Sequence, residues 1–473
     1  MSYIFSDRPH AAYYAFIVMT SFILNMAYVY EWRQYCSSSL LFPEHASQVG
    51  YNFYRHGSIT RLYELATYQD HGVIGAGELM DKAPSIKDTV GYGFLLGLLW
   101  KVTGTTSFYG IIFLQIVLFA LSICLIFQAL CWFYKDQKKA LYAVLGVLAF
   151  LPAAFLNVQP VKDMWSFYAT AVVLWTLLGL IQNKLNNTLL LSAASFFAVC
   201  QWMRPTVFGV LMALFVVGAP VFYFYFRSHF RVLKKMMIYF FIINILVFWI
   251  PWISYNKTTY DRFFVGPTGL ALLTSFGDLP NKWGIQMSEE WVGQHVKERY
   301  PDLVYQDGMQ EYDDVIRSIF REYVREEPLL YFKNLAYRLK GMIFVNLPWT
   351  AQFSDFWTYN SCSSKWQALK QAIAVSPFEG MRFLFFFLYI RFFLLCAYLG
   401  IIFSLKKGDY ILPCLIVLLI IGNCGEVISH IESKYLMQCY GFLGIFAGNL
   451  ILFLQQKITL WWVKRKKMNR VFL

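Results

Sequence analysis

The stretch SFYGIIFLQIVLFALSICLIFQALCWF at residues 107–133 decides the fold class of this chain. It carries no charged residue, and it is longer than the ~20 apolar residues that a helix needs to cross a ~30 Å bilayer core. Comparable runs recur from residue 11 to the C-terminal region. They are continuous rather than alternating in polarity, which excludes a transmembrane β-barrel. The sequence therefore predicts an all-α polytopic membrane protein.

The composition agrees with many membrane spans. Of the 473 residues 58% are apolar and 15% are charged, whereas soluble domains contain about 25% charged residues. This apolar excess excludes global disorder. The net charge of +13, from 41 basic and 28 acidic residues, would suggest nucleic acid as a partner of a soluble protein. In a membrane protein, basic cytoplasmic loops explain much of it.

Ten apolar runs are predicted to span the membrane. They cover residues 11–30, 107–133, 140–156, 164–181, 189–202, 207–226, 236–252, 381–403, 411–428 and 435–454. The segment 90–104 is short for a span, and we interpret it as an interfacial helix. Three regions result: an N-terminal transmembrane module at 1–252 with a first outer loop at 31–106, a large outer loop at 253–380, and C-terminal transmembrane helices with a basic tail at 381–473.

Basic residues between the runs set the predicted orientation. They are Lys135, Lys138, Lys139, Lys184, Arg227, Arg231, Lys234, Lys235, Lys406, Lys407 and the 464–470 cluster. With 90–104 on the surface, all of them fall on one side, which the positive-inside rule makes cytoplasmic. Both termini are then cytoplasmic and both long polar segments lie on the outer face.

The large outer loop contains amphipathic helices rather than linker sequence. Apolar residues Val315, Ile319, Phe320 and Val324 recur at helical spacing. Pro328 then predicts a break before a second amphipathic piece at 329–344.

Several segments resemble the C-type glycosyltransferases, in particular the branch of protein mannosyltransferases and aminoarabinose transferases. The segments are GYGFLLGLLWKVTG at 91–104, LPAAFLNVQPVKDMWSF at 151–167, WMRPTVFGV at 202–210, PWISYNKTTYDRFFV at 251–265 and ESKYLMQCYGF at 432–442. The chain departs from the family pattern where Ser254 and Lys434 replace arginine, and where Thr89 and Val90 replace prolines. The resemblance lies in the order and spacing of the segments over most of the chain.

The resemblance implies an enzyme that moves a sugar from a polyprenyl-phosphate carrier to an acceptor on the outer face, with inversion. The family keeps a catalytic acid early in the first outer loop, and Glu44 is the best match to it. Asp70 is an alternative base, and Glu31 lies closer to the membrane. Glu44 is equally consistent with an idle, solvated acid, because outer loops carry many of these.

Charged residues at the outer ends of two predicted spans are candidate site residues. Lys162 and Asp163 match the family's basic–acidic pair, although a carboxylate at a helix start is also favoured by the helix dipole alone. Asp163 would orient the base or bind the acceptor. Arg204 suits a phosphate because its planar fork matches phosphate oxygens, although interfacial snorkelling is the simpler interpretation. Further substrate-binding candidates are Lys87, Tyr92, Lys434, Arg262 and His430, and Trp349 as a sugar-stacking ring.

No metal site is predicted, because the sequence has no D-x-D motif and no histidine ligand spacing. Some members of the resembling family use a divalent ion and others do not. The expected partners are a polyprenyl-phosphate sugar, a glycan, lipid or protein acceptor, and membrane lipids, but no nucleic acid. The expected location is a bacterial inner membrane.

The sequence is also compatible with two other function classes. A polysaccharide polymerase or ligase would place its key arginines in a later large outer loop. A flippase or transporter would show internal repeats and charges at mid-span; no repeat is visible, although Glu426 lies within a predicted span.

Overall fold

A computed structural model describes residues 11–35, 44–69, 72–82, 90–263, 269–285, 289–301, 310–344, 365–423 and 440–471. The helices are α1 Ala11–Tyr35, α2 Glu44–His56, α3 Val90–Thr103, α4 Tyr109–Tyr134, α5 Gln137–Leu148, α6 Leu151–Asn157, α7 Trp165–Ile181, α8 Asn187–Met203, α9 Phe208–Ala213, α10 Ala219–Tyr225, α11 Arg227–Asn244, α12 Ile250–Tyr260, α13 Gly269–Thr274, α14 Glu289–Arg299, α15 Gln310–Glu326, α16 Pro328–Phe344, α17 Lys365–Val375, α18 Pro377–Lys406, α19 Ile411–Asn423 and α20 Gly444–Val471. Short 3-10 turns at Lys162–Met164, Pro205–Val207 and Gly441–Leu443 precede α7, α9 and α20, and π-helical turns at Leu214–Gly218 and Ile245–Trp249 join α9 to α10 and α11 to α12.

The protein is an all-α polytopic membrane protein. Within the described part of the chain, seven helical stretches are long and apolar enough to cross a membrane. They are Ala11–Tyr30, Tyr109–Tyr134, Lys162–Ile181, Pro205–Tyr225, Arg227–Tyr260, Leu388–Lys406 and Gly441–Val463. Each coincides with a run predicted from the sequence.

Two of the ten predicted spans, 140–156 and 189–202, differ from a single long helix, and a third, 411–428, is described only as far as Asn423. The predicted span 140–156 is bent by 62° between α5 and α6. Pro152 lies in the first turn of α6, where a missing backbone N–H costs no intrahelical hydrogen bond. Helix α8 is apolar but short for a crossing, and the described part of α19 is shorter still. Within the described residues the count is therefore seven crossings, or eight if the bent pair is one.

The first polar segment contains a small β-hairpin, which the all-α prediction missed. Strand β1, Leu62–Gln69, pairs antiparallel with β2, Gly72–Lys82, and the register shifts twice along the ladder. Asn52 of α2 holds β1 in place, because its side-chain oxygen accepts from the amides of Tyr63 and Glu64 at 2.6 and 3.0 Å. The hairpin is thereby attached to α2.

Glycines allow close approach between the membrane helices. A Cβ on Gly448 of α20 would collide with the carbonyl oxygen of Tyr142, and one on Gly444 with that of Gly146 on α5. Gly209 of α9 and Gly422 of α19 meet in the same way. Helices in lipid gain little from the hydrophobic effect when they pair, so small residues that permit dense van der Waals packing are the usual solution.

Two interactions mark the two ends of the bundle. At one end the charge of Lys139 acts on Asp409, between α18 and α19, so two of the predicted basic clusters lie together. Burial raises the pKa of Asp409 and the Lys139 ammonium opposes that rise. At the other end Tyr255 of α12 donates to the carbonyl of Ile59 at 3.2 Å, so the first polar segment meets the start of the second.

The second polar segment has its own hydrophobic core, as the predicted amphipathic helices require. Helices α15 and α16 flank Pro328 as expected, and Ile316, Ile319 and Tyr323 of α15 are buried against Phe276. Arg262, just after α12, forms a bidentate ion pair with Asp314 at 2.9 and 2.5 Å. This pair lowers the pKa of the Asp314 carboxyl. We call residues 269–344 the outer unit, after its predicted side.

The glycine contact between α5 and α20 gives a packing prediction. Gly448→Ala should destabilise the protein by about 1–3 kcal/mol, because the added methyl forces the Tyr142 carbonyl away in a dense interior. Gly110→Ala is the matched control, since a Cβ on this helical glycine meets no atom closer than 3.9 Å. The measurement is unfolding of both variants in detergent. Equal stabilities would show that the close approach does not exist.

Candidate functional site

Asp163 and Arg204 form a buried ion pair. Asp163 Oδ1 accepts from Arg204 Nη1, and both residues are 4% exposed. Arg204 Nε also donates to Thr206 Oγ1 at 2.9 Å. The sequence indicates each charge separately, but the pair joins residues 41 positions apart and is revealed by the fold. Two charges out of water are costly unless well paired.

Local backbone structure positions both charges. Asp163 lies in the 3-10 turn Lys162–Met164, which leads into α7, and Lys162 in the same turn is half-buried. Arg204 caps the C-terminal end of α8 in an extended conformation, as expected for a residue that precedes proline. The two helices run in opposite directions, so the start of α7 meets the end of α8.

Several buried polar atoms near the pair have no hydrogen-bond partner within the described structure. They are both amide atoms of Gln201, Nε2 of Gln159 and Nε1 of Trp165. Each of these residues is within four positions of Asp163 or Arg204 in the sequence. Buried polar groups in folded proteins are normally satisfied, so this concentration marks a polar site rather than ordinary core.

A buried hydrogen-bond network holds the turn in place. Tyr92 of α3 donates to Gln115 of α4 at 3.2 Å, and the Gln115 amide donates to the Asn157 carbonyl at 2.8 Å. The Asn157 side chain bonds Asn25 of α1 at 2.7 Å and also accepts from Tyr168 of α7. Five helices thus meet just before the Lys162–Met164 turn. Tyr92, predicted to bind substrate, is fully buried in this network and presents no exposed ring face.

Helix α2, which starts at Glu44, packs on α3, and α3 in turn packs on the end of α8 that carries Arg204. Helices α2 and α3 pack closely: a Cβ on Gly93 would lie 2.8 Å from the Ala46 carbonyl, and one on Gly50 would lie 2.9 Å from the Gly93 carbonyl. A Cβ on Gly91 of α3 would lie 2.3 Å from the carbonyl oxygen of Trp202, two residues before Arg204. Helix α2 is therefore one helix removed from the ion pair, with α3 packed between them, and the Glu44 side chain lies outside the described atoms.

The remaining predicted site residues divide into two groups. Arg262 is exposed and paired with Asp314. The others lie outside the described residues: Asp70, Lys87, Trp349, Glu426, His430 and Lys434. Glu31 lies in α1, with its side chain also outside the described atoms.

A second buried ion pair, which was not predicted, lies in the outer unit. Arg338 is 1% exposed, and its Nε lies 3.1 Å from Oδ2 of Asp278. Its Nη2 donates to the Ser275 carbonyl at 3.0 Å. Burial lowers the pKa of the Arg338 guanidinium, and the carboxylate of Asp278 opposes this. The pair joins α16 to the segment after α13, and no spacing in the sequence reveals it.

Among the described residues, no three His, Cys, Asp or Glu side chains are grouped as metal ligands. The described site offers a paired carboxylate and guanidinium with neighbouring amides. Such a set offers hydrogen-bond donors and acceptors that suit an anion or hydroxyl groups.

No protein-family model matches this chain, and neither a curated protein nor a solved structure is significantly similar to it.

The buried pair gives a prediction of energetic coupling. Asp163→Asn or Arg204→Gln alone should cost about 3–5 kcal/mol, because each leaves one buried charge uncompensated. The double variant should lose much less than the sum, since no isolated charge remains. The measurement is a double-mutant cycle on unfolding in detergent. Additive losses would mean that the two charges do not interact.

Proposed function

We propose that this protein is a membrane glycosyltransferase that moves a sugar from a polyprenyl-phosphate carrier to an acceptor. The observation that carries the proposal is the buried Asp163–Arg204 pair with its unsatisfied polar neighbours. It lies in two of the segments that resemble the C-type glycosyltransferases. Those segments are far apart in the sequence and meet in the fold.

The proposed chemistry assigns a role to each charged group. The Arg204 guanidinium attracts the carrier phosphate, and Asp163 positions the guanidinium. A glycosyl phosphate loses its phosphate as a leaving group, and the acceptor hydroxyl attacks the anomeric carbon from the opposite face. The hydroxyl proton passes to a carboxylate, and the proposed carboxylate is that of Glu44. Help of this kind is typically worth ~10²–10⁴ in rate.

The proposed topology places this site on the outer face of a bacterial inner membrane. It takes the bent pair α5–α6 and the short helices α8 and α19 as additional crossings, which gives ten. Local thinning of the bilayer accommodates short helices at modest cost. The contact between the regions of Lys139 and Asp409 supports a shared basic end.

The polymerase or ligase alternative has less support in the outer unit. It would use arginines there, but three of them are already held by carboxylates: Arg299, Arg317 and Arg338. Arg262, just before the outer unit, is paired with Asp314 as well. A flippase has no specific observation in its favour.

Reporter fusions test the orientation. Fusions that end after Lys139, Lys235 or Lys407 should report the cytoplasm, and a reporter inserted after Tyr300 should report the outer side. A cytoplasmic signal at Tyr300 would place the proposed site in the wrong compartment.

Glu44→Gln tests the catalytic base. We expect sugar transfer to fall by ~10²–10⁴, because the change keeps the shape but removes the proton acceptor. The assay is transfer from a panel of undecaprenyl-phosphate hexoses to membrane extracts by purified protein, with binding of undecaprenyl phosphate measured separately. That binding should not change.

Glu64→Gln is the matched control in the same loop, since the Glu64 carboxylate already contacts His56 at 3.2 Å. It should keep normal transfer. Loss in Asp70→Asn with normal turnover in Glu44→Gln would move the base to Asp70. Normal turnover in Glu44→Gln, Asp70→Asn and Asp163→Asn would refute the acid–base mechanism.

A further inference from the structure

An apolar groove lies between α11 and the helix that contains the first π-helical turn. Its volume is about 420 Å³. It is lined by Phe215, Ala219, Phe230, Leu233, Met237 and Phe241, with further contributions from Lys234, Ile238 and Ile242. Phe215, Ile238 and Ile242 are about half exposed, so the groove opens sideways toward the surrounding membrane.

The length of the groove fits within one leaflet. From Lys234, at the charged end of the groove, to Ile242 helix α11 rises about 12 Å at ~1.5 Å per residue, which fits within the ~15 Å of half a bilayer core. The whole helical stretch Arg227–Tyr260 has 34 residues and measures about 51 Å. It is longer than the core, so its first turns project beyond the hydrocarbon.

Those first turns carry an unusual excess of positive charge. Arg227, Arg231, Lys234 and Lys235 are all exposed, and no Asp or Glu occurs between Asp163 and Asp261. The charges also lie at a helix N-terminus, where the dipole disfavours cations and favours an anion. Helical side chains lean toward the N-terminus, so the Lys234 ammonium leans from the groove toward this basic end.

We propose that the groove binds one anionic phospholipid, with an acyl chain along α11 and the headgroup phosphate at Lys234. The apolar lining of the groove complements an acyl chain. The basic charge at its end, which no nearby acid in the sequence balances, complements an anionic headgroup. Neither a soluble anion nor a neutral lipid satisfies both.

The site is separate from the proposed transfer reaction. Trp202, two residues before Arg204, donates to the carbonyl of Val247 at 2.8 Å. Val247 is 13 residues beyond Lys234 on the same helix, which corresponds to about 20 Å. The lipid site and the Asp163–Arg204 pair thus lie at different depths.

Native mass spectrometry of the purified full chain tests the proposal. The probes are phosphatidylglycerol and phosphatidylcholine with identical acyl chains, together with undecaprenyl phosphate and inorganic phosphate. One phosphatidylglycerol should be retained in preference to the other probes. Lys234→Gln should weaken its binding about fivefold, the effect of one lysine near an anionic headgroup. Ala219→Leu should also weaken it, because the larger side chain narrows the groove.

Lys235→Gln is the matched control, since the same charge is removed from a neighbouring residue that does not line the groove. It should change the affinity by less than twofold. Equal losses in Lys234→Gln and Lys235→Gln would indicate diffuse attraction and overturn the site. No preference for phosphatidylglycerol, full binding by Ala219→Leu, or stronger retention of undecaprenyl phosphate would overturn it as well.

Discussion

Close contact between helix backbones is the constraint on which this structure depends. In lipid, every backbone polar group must be satisfied within the chain, so the spans are helices. Helices in lipid then hold together mainly by dense packing. Glycines at the crossings of α5 with α20, α9 with α19 and α2 with α3 make that packing possible. The α2–α3 crossing uses the same close packing outside the seven membrane-spanning stretches, and it attaches the first polar segment to the bundle.

Polar interactions in the interior add specificity to this packing. The Asp163–Arg204 pair connects α7 to α8, and the network through Gln115 and Asn157 connects five helices around the preceding turn. A buried pair contributes little net stability, but losing one partner is expensive. The Gln201 amide beside this region has no hydrogen-bond partner within the described residues, so the fold itself does not use its polar atoms.

Sequence periodicity predicted the elements well and their contacts poorly. Long apolar runs and the amphipathic pattern around Pro328 identified helices, because burial in lipid or against one face dominates the local choice. The hairpin of β1 and β2 was missed, since it depends on a tertiary contact, the hydrogen bonds from β1 to Asn52, which no local pattern encodes. The bend before α6 was missed too, although Pro152 marks it. Asp163 and Arg204 were both identified as candidates, but their pairing depends on the antiparallel course of α7 and α8, which no local pattern encodes.

The stretch Arg227–Tyr260 is one helical path about 51 Å long that contains the π-helical turn Ile245–Trp249. One end carries the basic turns at the groove, and Arg262, just past the other end, is clamped to the outer unit by Asp314. A rigid rod of this length that tilts by ~10° displaces its far end by about 9 Å. Packing against neighbouring helices and interfacial anchors set the tilt of a membrane helix, so a change at the basic end that altered this tilt would also move Arg262 and its contact with the outer unit.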